Sequence, residues 1–277
     1  MNGVLAGQVQ PGVVQADPLA VLREILEVTR PDADLGLIRR SYEVAAAWHY
    51  GQTRLSGDPY ITHPLAVATI MARLGASDHA LCAALLHDTT ADTPYTAAEM
   101  NRDFGTEITA LVAGILALDQ IKYRDASTLA LAIAATRASD PQVLAIKIAD
   151  RLHNMRTVQY LRPDKQLRKA REVREVFVPA ARLLGLDTVL AELETLAAAT
   201  LSRHRHAHTA SGRLLTATAA LLPQATQSRL REEWLGELST LPARLGRARF
   251  AAHTLLAILR LAVTLRRHAP RARQSRP

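Results

Sequence analysis

Apolar residues recur along this chain at the three-to-four spacing of helices, almost without interruption. The pattern predicts a short helix at 18–29 ended by Pro31, then helices at 35–50 and 64–75 on either side of a break at 51–59. Further helices follow at 79–90, 96–103, 106–119, 126–138, 141–160, 163–184 and 187–200. Gly75, Pro94, Gly105, Pro141, Pro163 and Gly185 sit at the boundaries, where helix-ending and helix-starting residues belong. No segment shows convincing strand alternation. Residues 1–17 have no period and read as a frayed arm; 202–212 reads as a linker, and 213–267 as two or three further helices.

The segment 141–160 has two faces. Leu144, Ile148, Leu152 and Met155 form an apolar stripe, and Asp150, Asn154 and Thr157 a polar one on the other side. A polar stripe on so apolar a helix either faces solvent or lines a site.

Composition agrees with helices. Apolar residues make up 48% of the chain and aromatics only 4%, so the core must be built from Ala, Leu, Val and Ile. The expected class is all-α, a helical bundle with an additional basic helical tail. With the single cysteine Cys82 there is no internal disulfide and no Cys-based zinc site, and the first residues lack the pattern of a signal peptide. Both points favour the cytoplasm. The net charge of +8 is uneven: residues 202–277 hold 14 Arg and 3 Glu, a balance of +11, while 1–201 carry −3. The basic tail is therefore where an acidic partner, a membrane surface or a nucleic acid would be met. Phe250–Leu265 is too short and too charged for a transmembrane span. It reads as a packed terminal helix, with an amphipathic helix on an anionic membrane as the alternative.

Candidate chemistry begins with His87-Asp88, a pair inside the apolar run Leu81-Cys-Ala-Ala-Leu-Leu. A buried carboxylate beside an imidazole needs compensation, which a divalent cation supplies. His63 stands at the start of a helix whose first turn carries Pro64, and Asp150 stands on the polar stripe. Two His and two Asp form a mixed nitrogen and oxygen set suited to Mn²⁺, Fe²⁺ or Zn²⁺. Such an ion acidifies water and polarises a phosphoryl oxygen.

Three stretches together carry a resemblance. They are Gly51-Gln-Thr-Arg-Leu-Ser-Gly-Asp-Pro-Tyr-Ile-Thr-His-Pro-Leu, Ala83-Ala-Leu-Leu-His-Asp-Thr-Thr-Ala-Asp-Thr and Ile146-Lys-Ile-Ala-Asp-Arg-Leu-His-Asn-Met-Arg-Thr. With Lys165-Gln, Pro179-Ala-Ala-Arg-Leu-Leu-Gly and Glu192-Leu-Glu after them, residues 35–200 resemble the HD hydrolase domain of the RelA/SpoT family in order and spacing. The resemblance implies that His63, His87, Asp88 and Asp150 hold Mn²⁺ or another divalent transition metal. It implies that Arg54, Ser56, Asn154 and Thr157 contact a guanosine 3′-diphosphate nucleotide. The implied reaction removes the 3′-diphosphate of guanosine tetra- or pentaphosphate. The expected organisation is an arm and short helix at 1–34, the HD domain at 35–201, a linker at 202–212 and a basic tail at 213–277. The synthetase half that follows in the family has no counterpart in 202–277, which implies a hydrolase-only member.

Two positions depart from the family pattern. Ala91 stands where the family places a catalytic Glu, leaving Asp92 as the candidate for orienting water or shuttling a proton. Leu55 stands where a basic residue is usual. These losses motivate a second reading: an alarmone-binding protein of impaired turnover that signals through its basic tail.

Other residues have plainer expectations. His153 reads as a hydrogen-bonded support behind the site, His49 as a helix cap, and His204, His206 and His208 as solvated loop. Cys82 reads as inert core; Trp48 and Trp234 read as packing anchors.

Overall fold

The computed structural model describes residues 17–121, 126–207, 209–241 and 243–268. The arm expected at 1–17 and His208 fall outside the described residues, apart from Asp17. The architecture is all-α. Among the described residues the only extended pairing is an isolated bridge between Thr53 and Pro59.

The helices are α1 (Ala20–Thr29), α2 (Leu35–Trp48), α3 (Thr62–Arg73), α4 (Asp78–Leu86), the one-turn α5 (Thr89–Asp92), α6 (Ala97–Gln120) and α7 (Ala126–Ser139). They continue with α8 (Pro141–Arg156), α9 (Pro163–Glu172), α10 (Val178–Leu183), α11 (Asp187–Ala207), α12 (Ala210–Ala219), α13 (Gln224–Thr240) and α14 (Arg244–His268). Local chemistry sets their starts. Asp34, Ser77 and Asp140 accept backbone N–H groups as N-caps of α2, α4 and α8. Thr96 and Glu99 form a reciprocal capping box at α6. Gly105 takes φ +83° inside α6, so the break expected there is a kink within one element.

Helix α4 is the centre of the bundle. From Ala80 to Leu86 every residue is buried, enclosed by α2, α3, α6 and α8. The all-round apolar run in the sequence is the signature of such a central helix. Helix α8 crosses α3, α6 and α11, and its apolar stripe of Leu144, Ile148, Leu152 and Met155 is buried. At the α6–α8 contact a Cβ on Gly114 would lie 2.9 Å from a Val143 methyl, so glycine lets the two helices approach.

Several boundaries differ from the sequence expectation, each for a physical reason. The helix expected at 79–90 breaks at His87-Asp88, where the one-turn α5 restarts the chain. The helix expected at 141–160 ends at Arg156, and a 3₁₀ turn carries Val158–Tyr160. The helix expected at 163–184 widens into a π-turn at Val173–Phe177, just ahead of Pro179, which has no N–H to donate.

The largest difference is at 202–212. Helix α11 runs on to Ala207, and α12 starts at Ala210 with Thr209 as its N-cap. His204 and His206 are therefore helical, not loop. His204 Nε2 meets Gln166 Oε1 at 3.3 Å and His206 Nδ1 bonds the Ser202 carbonyl. The helix continues because α13 packs along it, with Arg203 3.5 Å from Glu232. A second, small core joins Leu215, Leu235, Leu238 and Ala251 with Leu214, Trp234 and Phe250. Trp234 is thus a packing residue, as is Trp48, 5.5 Å from the Tyr95 ring. Cys82 is fully buried, and burial pushes its thiol up to about 11. Among the described residues no helix is long and apolar enough to cross a membrane.

Candidate metal centre

Three elements converge on one point. His63 enters on the first turn of α3, His87 and Asp88 at the break between α4 and α5, and Asp150 from the middle of α8. His63, His87 and Asp88 each offer a ligand atom, and these atoms all lie within 4.8 Å of one another. Asp150 is outside that group of three but adjoins it, its Oδ1 3.3 Å from His63 Nε2. His63 Nε2 is also 3.5 Å from Asp88 Oδ2, and His87 Nε2 is 3.2 Å from Asp88 Oδ1.

Hydrogen bonding on the far side of each ring shows what these nitrogens present. His87 Nδ1 is 2.9 Å from the Ala84 carbonyl, which only accepts, so the proton is on Nδ1. In the neutral tautomer its Nε2 carries the lone pair. It is buried with no hydrogen-bond partner, and its contact with Asp88 lacks hydrogen-bond geometry. His63 Nδ1 lies 2.7 Å from Nδ1 of His153, a pair that needs one donor and one acceptor. Burial first, then the neighbouring His63 and Arg54, lowers His153 to about 3, which makes it a neutral ring. Burial also lowers His63, against the opposing pull of Asp150. A lone pair facing a carboxylate oxygen across about 3 Å is repulsive unless a cation lies between them. The donor set is two imidazole nitrogens and two carboxylates, and it fits a divalent transition metal.

The carboxylates are themselves held. Asp150 Oδ2 accepts from Lys147 Nζ at 2.8 Å and from Arg151 at 3.2 Å, and Asn154 Nδ2 donates to its Oδ1. Burial would raise the Asp150 pKa, but Lys147, His63 and Arg151 together hold it well below the ordinary carboxylate value. Asp88 is lowered as well, burial being outweighed by His87, His63 and the Tyr60 hydroxyl. That hydroxyl lies 2.8 Å from Asp88 Oδ2 and 2.8 Å from Asp92 Oδ2. With one proton to give, it donates to one carboxylate while lying against the other, which ties Asp88 and Asp92 together. Burial and these carboxylates raise its pKa, so the phenol keeps its proton. His49, buried at the end of α2, stacks on the Tyr60 ring at 4.5 Å and bonds Gln52 through Nδ1.

The cluster opens into a cleft of about 570 Å³. Arg54, Ser56, Asp92, Asn154 and Thr157 all line it with His63, Asp88 and Asp150; His87 sits behind, buried. The loop between α2 and α3 turns tightly at Gly57, φ +92°, where Arg54 bonds Asp58 through the backbone. This presents Arg54, whose guanidinium donates to Asn154 Oδ1 and Thr157 Oγ1, both at 3.3 Å. The polar stripe of α8 thus faces the cleft. Ser56 lines the same wall and donates to Asp58 at 2.7 Å. Ala91 and Leu55 line the cleft too, and Leu55 is 75% exposed.

Sequence reasoning missed Tyr60 and the charged floor of Asp119, Lys147, Arg151 and Lys169, all of which line the cleft. Lys147 ion-pairs with Asp119, and Arg151 reaches Glu172 at 3.5 Å. Burial, with Arg151 beside it, lowers the Lys169 pKa. Lys147 stands three residues before Asp150, a helical pair spacing that was the available signal; the adjacent Arg151 had none.

Comparison with known proteins gives a family. The chain is 47% identical over 209 residues to the GTP pyrophosphokinase of Streptomyces coelicolor, covering 72% of this chain and 25% of that protein. It is 52% identical over 189 residues to the bifunctional (p)ppGpp synthase/hydrolase RelA of Mycobacterium tuberculosis, covering 67% and 25%. It is 44% identical over 180 residues to the guanosine-3′,5′-bis(diphosphate) 3′-pyrophosphohydrolase of Escherichia coli O157:H7, covering 63% and 26%. The chain therefore spans about a quarter of the length of these relatives. Residues 41–187, more than half of the chain, match the family described as HD domain, and the protein belongs to the HD-domain family.

Proposed function

We propose that this chain is a metal-dependent phosphohydrolase that removes the 3′-diphosphate from guanosine tetra- or pentaphosphate, or from a related 3′-phosphorylated nucleotide. One observation carries the reading: the partnerless Nε2 of His87 converges with His63 and Asp88, with Asp150 against His63, at the end of a cleft lined by Arg54, Asn154 and Thr157. The names of two relatives include hydrolysis of this nucleotide class, which supports the choice of substrate class.

His63, His87, Asp88 and Asp150 would hold Mn²⁺ or a similar ion, whose contribution is to acidify water and polarise a phosphoryl oxygen. The chain's own residues supply the rest. Arg54, braced by Asn154 and Thr157, meets phosphate charge, and Ser56 lies beside it. Asn154 and Thr157 line the nucleoside side of the cleft. Asp92, fixed by the Tyr60 hydroxyl, orients the attacking water or moves its proton. Water adds at the 3′-phosphorus and the bond to the ribose O3′ breaks. The O3′ oxygen takes a proton, and the products are pyrophosphate and guanosine 5′-diphosphate from the tetraphosphate, or the 5′-triphosphate from the pentaphosphate.

A second reading, in which the nucleotide binds and turnover is impaired, would rest on Ala91 and Leu55, both on the cleft wall. Pyrophosphate release from guanosine tetraphosphate with Mn²⁺ tests both. The hydrolase reading expects release by the native chain, none from Asp88→Ala, and a faster rate from Ala91→Glu, toward the roughly 10²–10⁴-fold a positioned general base contributes. Nucleotide binding with no release from the native chain or from Ala91→Glu would overturn it and leave the second reading.

A further inference from the structure

Helix α14 packs by one face only. Phe250 and Ala251 join the small core with Leu215, Leu235 and Leu238. The opposite face carries Leu245, Ala252, Leu256 and Leu259, at i, i+7, i+11 and i+14, which places them in one narrow arc. That arc is bare: Leu245 is 72%, Leu256 50% and Leu259 44% exposed. Exposed Arg244, Arg249 and Arg260 flank it. The charge is one-sided, for no Asp or Glu follows Glu237, while nine arginines lie between Arg244 and Arg276.

We infer that the outward face of α14 docks on an anionic lipid bilayer surface, with the leucines entering the boundary between headgroups and acyl chains and the arginines meeting lipid phosphates. Charge complementarity selects this occupant. A second copy would bring the same arginines against these and no carboxylate to answer them. A nucleic acid would satisfy the arginines but leave three aliphatic side chains at the centre of the face with nothing to bury against, and no aromatic residue in the arc for a base to stack on. A bilayer surface takes both components, as surface-lying amphipathic helices do. The inference is independent of what the cleft hydrolyses.

Co-sedimentation of the full chain with vesicles tests it. Vesicles of phosphatidylglycerol and phosphatidylcholine should bind at least about tenfold more tightly than phosphatidylcholine alone, and added salt should weaken the binding. Leu256→Asp with Leu259→Asp, and separately Arg244→Gln with Arg249→Gln, should each weaken it by about tenfold or more. These side chains face outward, so circular dichroism should show unchanged helix content. Equal binding to both vesicle types, or binding to neither, would overturn the inference. So would duplex DNA binding that survives the leucine changes with no vesicle binding, or self-association that the leucine changes abolish with no vesicle binding.

Discussion

Nδ1 of His63 and Nδ1 of His153 lie 2.7 Å apart, so the tautomer of one ring sets that of the other. His153 is neutral, lowered to about 3 by burial and by the neighbouring His63 and Arg54. When His153 accepts in this pair, the His63 proton sits on Nδ1 and Nε2 is left to bind a cation beside Asp150 and Asp88. Replacing a group that orients a metal-binding histidine in this way costs about 10–100-fold in metal affinity. His153→Leu should therefore weaken Mn²⁺ binding by that factor in calorimetric titration, with the helix content retained. Unchanged affinity would show that His63 is oriented without it.

Tyr60 links the two carboxylates that frame the cleft end, Asp88 and Asp92. Tyr60→Phe keeps the ring that stacks on His49 and removes only the hydroxyl. The expected effect is a fall in kcat of about 10–100-fold, the usual cost of losing a group that orients a ligand. KM should change little, because Arg54, Asn154 and Thr157 are untouched. Steady-state kinetics on guanosine tetraphosphate separate the two parameters. A rise in KM with kcat preserved would place Tyr60 in nucleotide binding instead.

Arg156 and Glu192 pair α8 with α11 through two hydrogen bonds of 2.7 Å. The Arg156 hydrogen bond lowers the Glu192 pKa, so the folded state binds its proton less readily than the unfolded chain does. Stability from this pair is complete above the ordinary Glu value of about 4.3 and is lost as pH falls through the lower folded value. The pair is more than a third exposed on each side, which screens it to about 0.5 kcal/mol. Denaturant unfolding should find Glu192→Gln less stable by that amount at neutral pH. The difference from the native chain should close at pH near 3. A difference that persists in acid would assign the effect to packing.

Gly114 meets Val143 where α6 crosses α8. Gly114→Val should destabilise the fold by about 1–3 kcal/mol through overpacking, read as a lower urea midpoint. It should also displace Lys147 and Asp150 relative to Asp119, and so weaken Mn²⁺ binding. A stability gain would mean that the helices separate without cost.

Much of this arrangement was legible in the sequence because its signals are local. The apolar run Leu81–Leu86 was legible as part of a helix, and the two stripes of α8 follow from spacing of three and four. The structure sets the polar stripe against the cleft, a choice that spacing could not make. What was not legible depends on partners distant in the chain. Tyr60 meets Asp88 and Asp92 across 28 and 32 residues, and Lys147 joins Asp119 from a different helix. The stretch 202–207 has the polar composition of a linker. It is helical because α13 lies along it and Gln166 meets His204, contacts that no window of local sequence contains. Gly105 announced a break, yet only the backbone shows that α6 bends there and continues.

The central claim is that one cation is shared by His63, His87, Asp88 and Asp150. Anomalous diffraction from a crystal of the full chain grown with Mn²⁺ tests it most directly. One strong peak is expected within coordination distance of Nε2 of both histidines and of an oxygen of each aspartate. A peak elsewhere, or one in contact with fewer than three of these side chains, would contradict it.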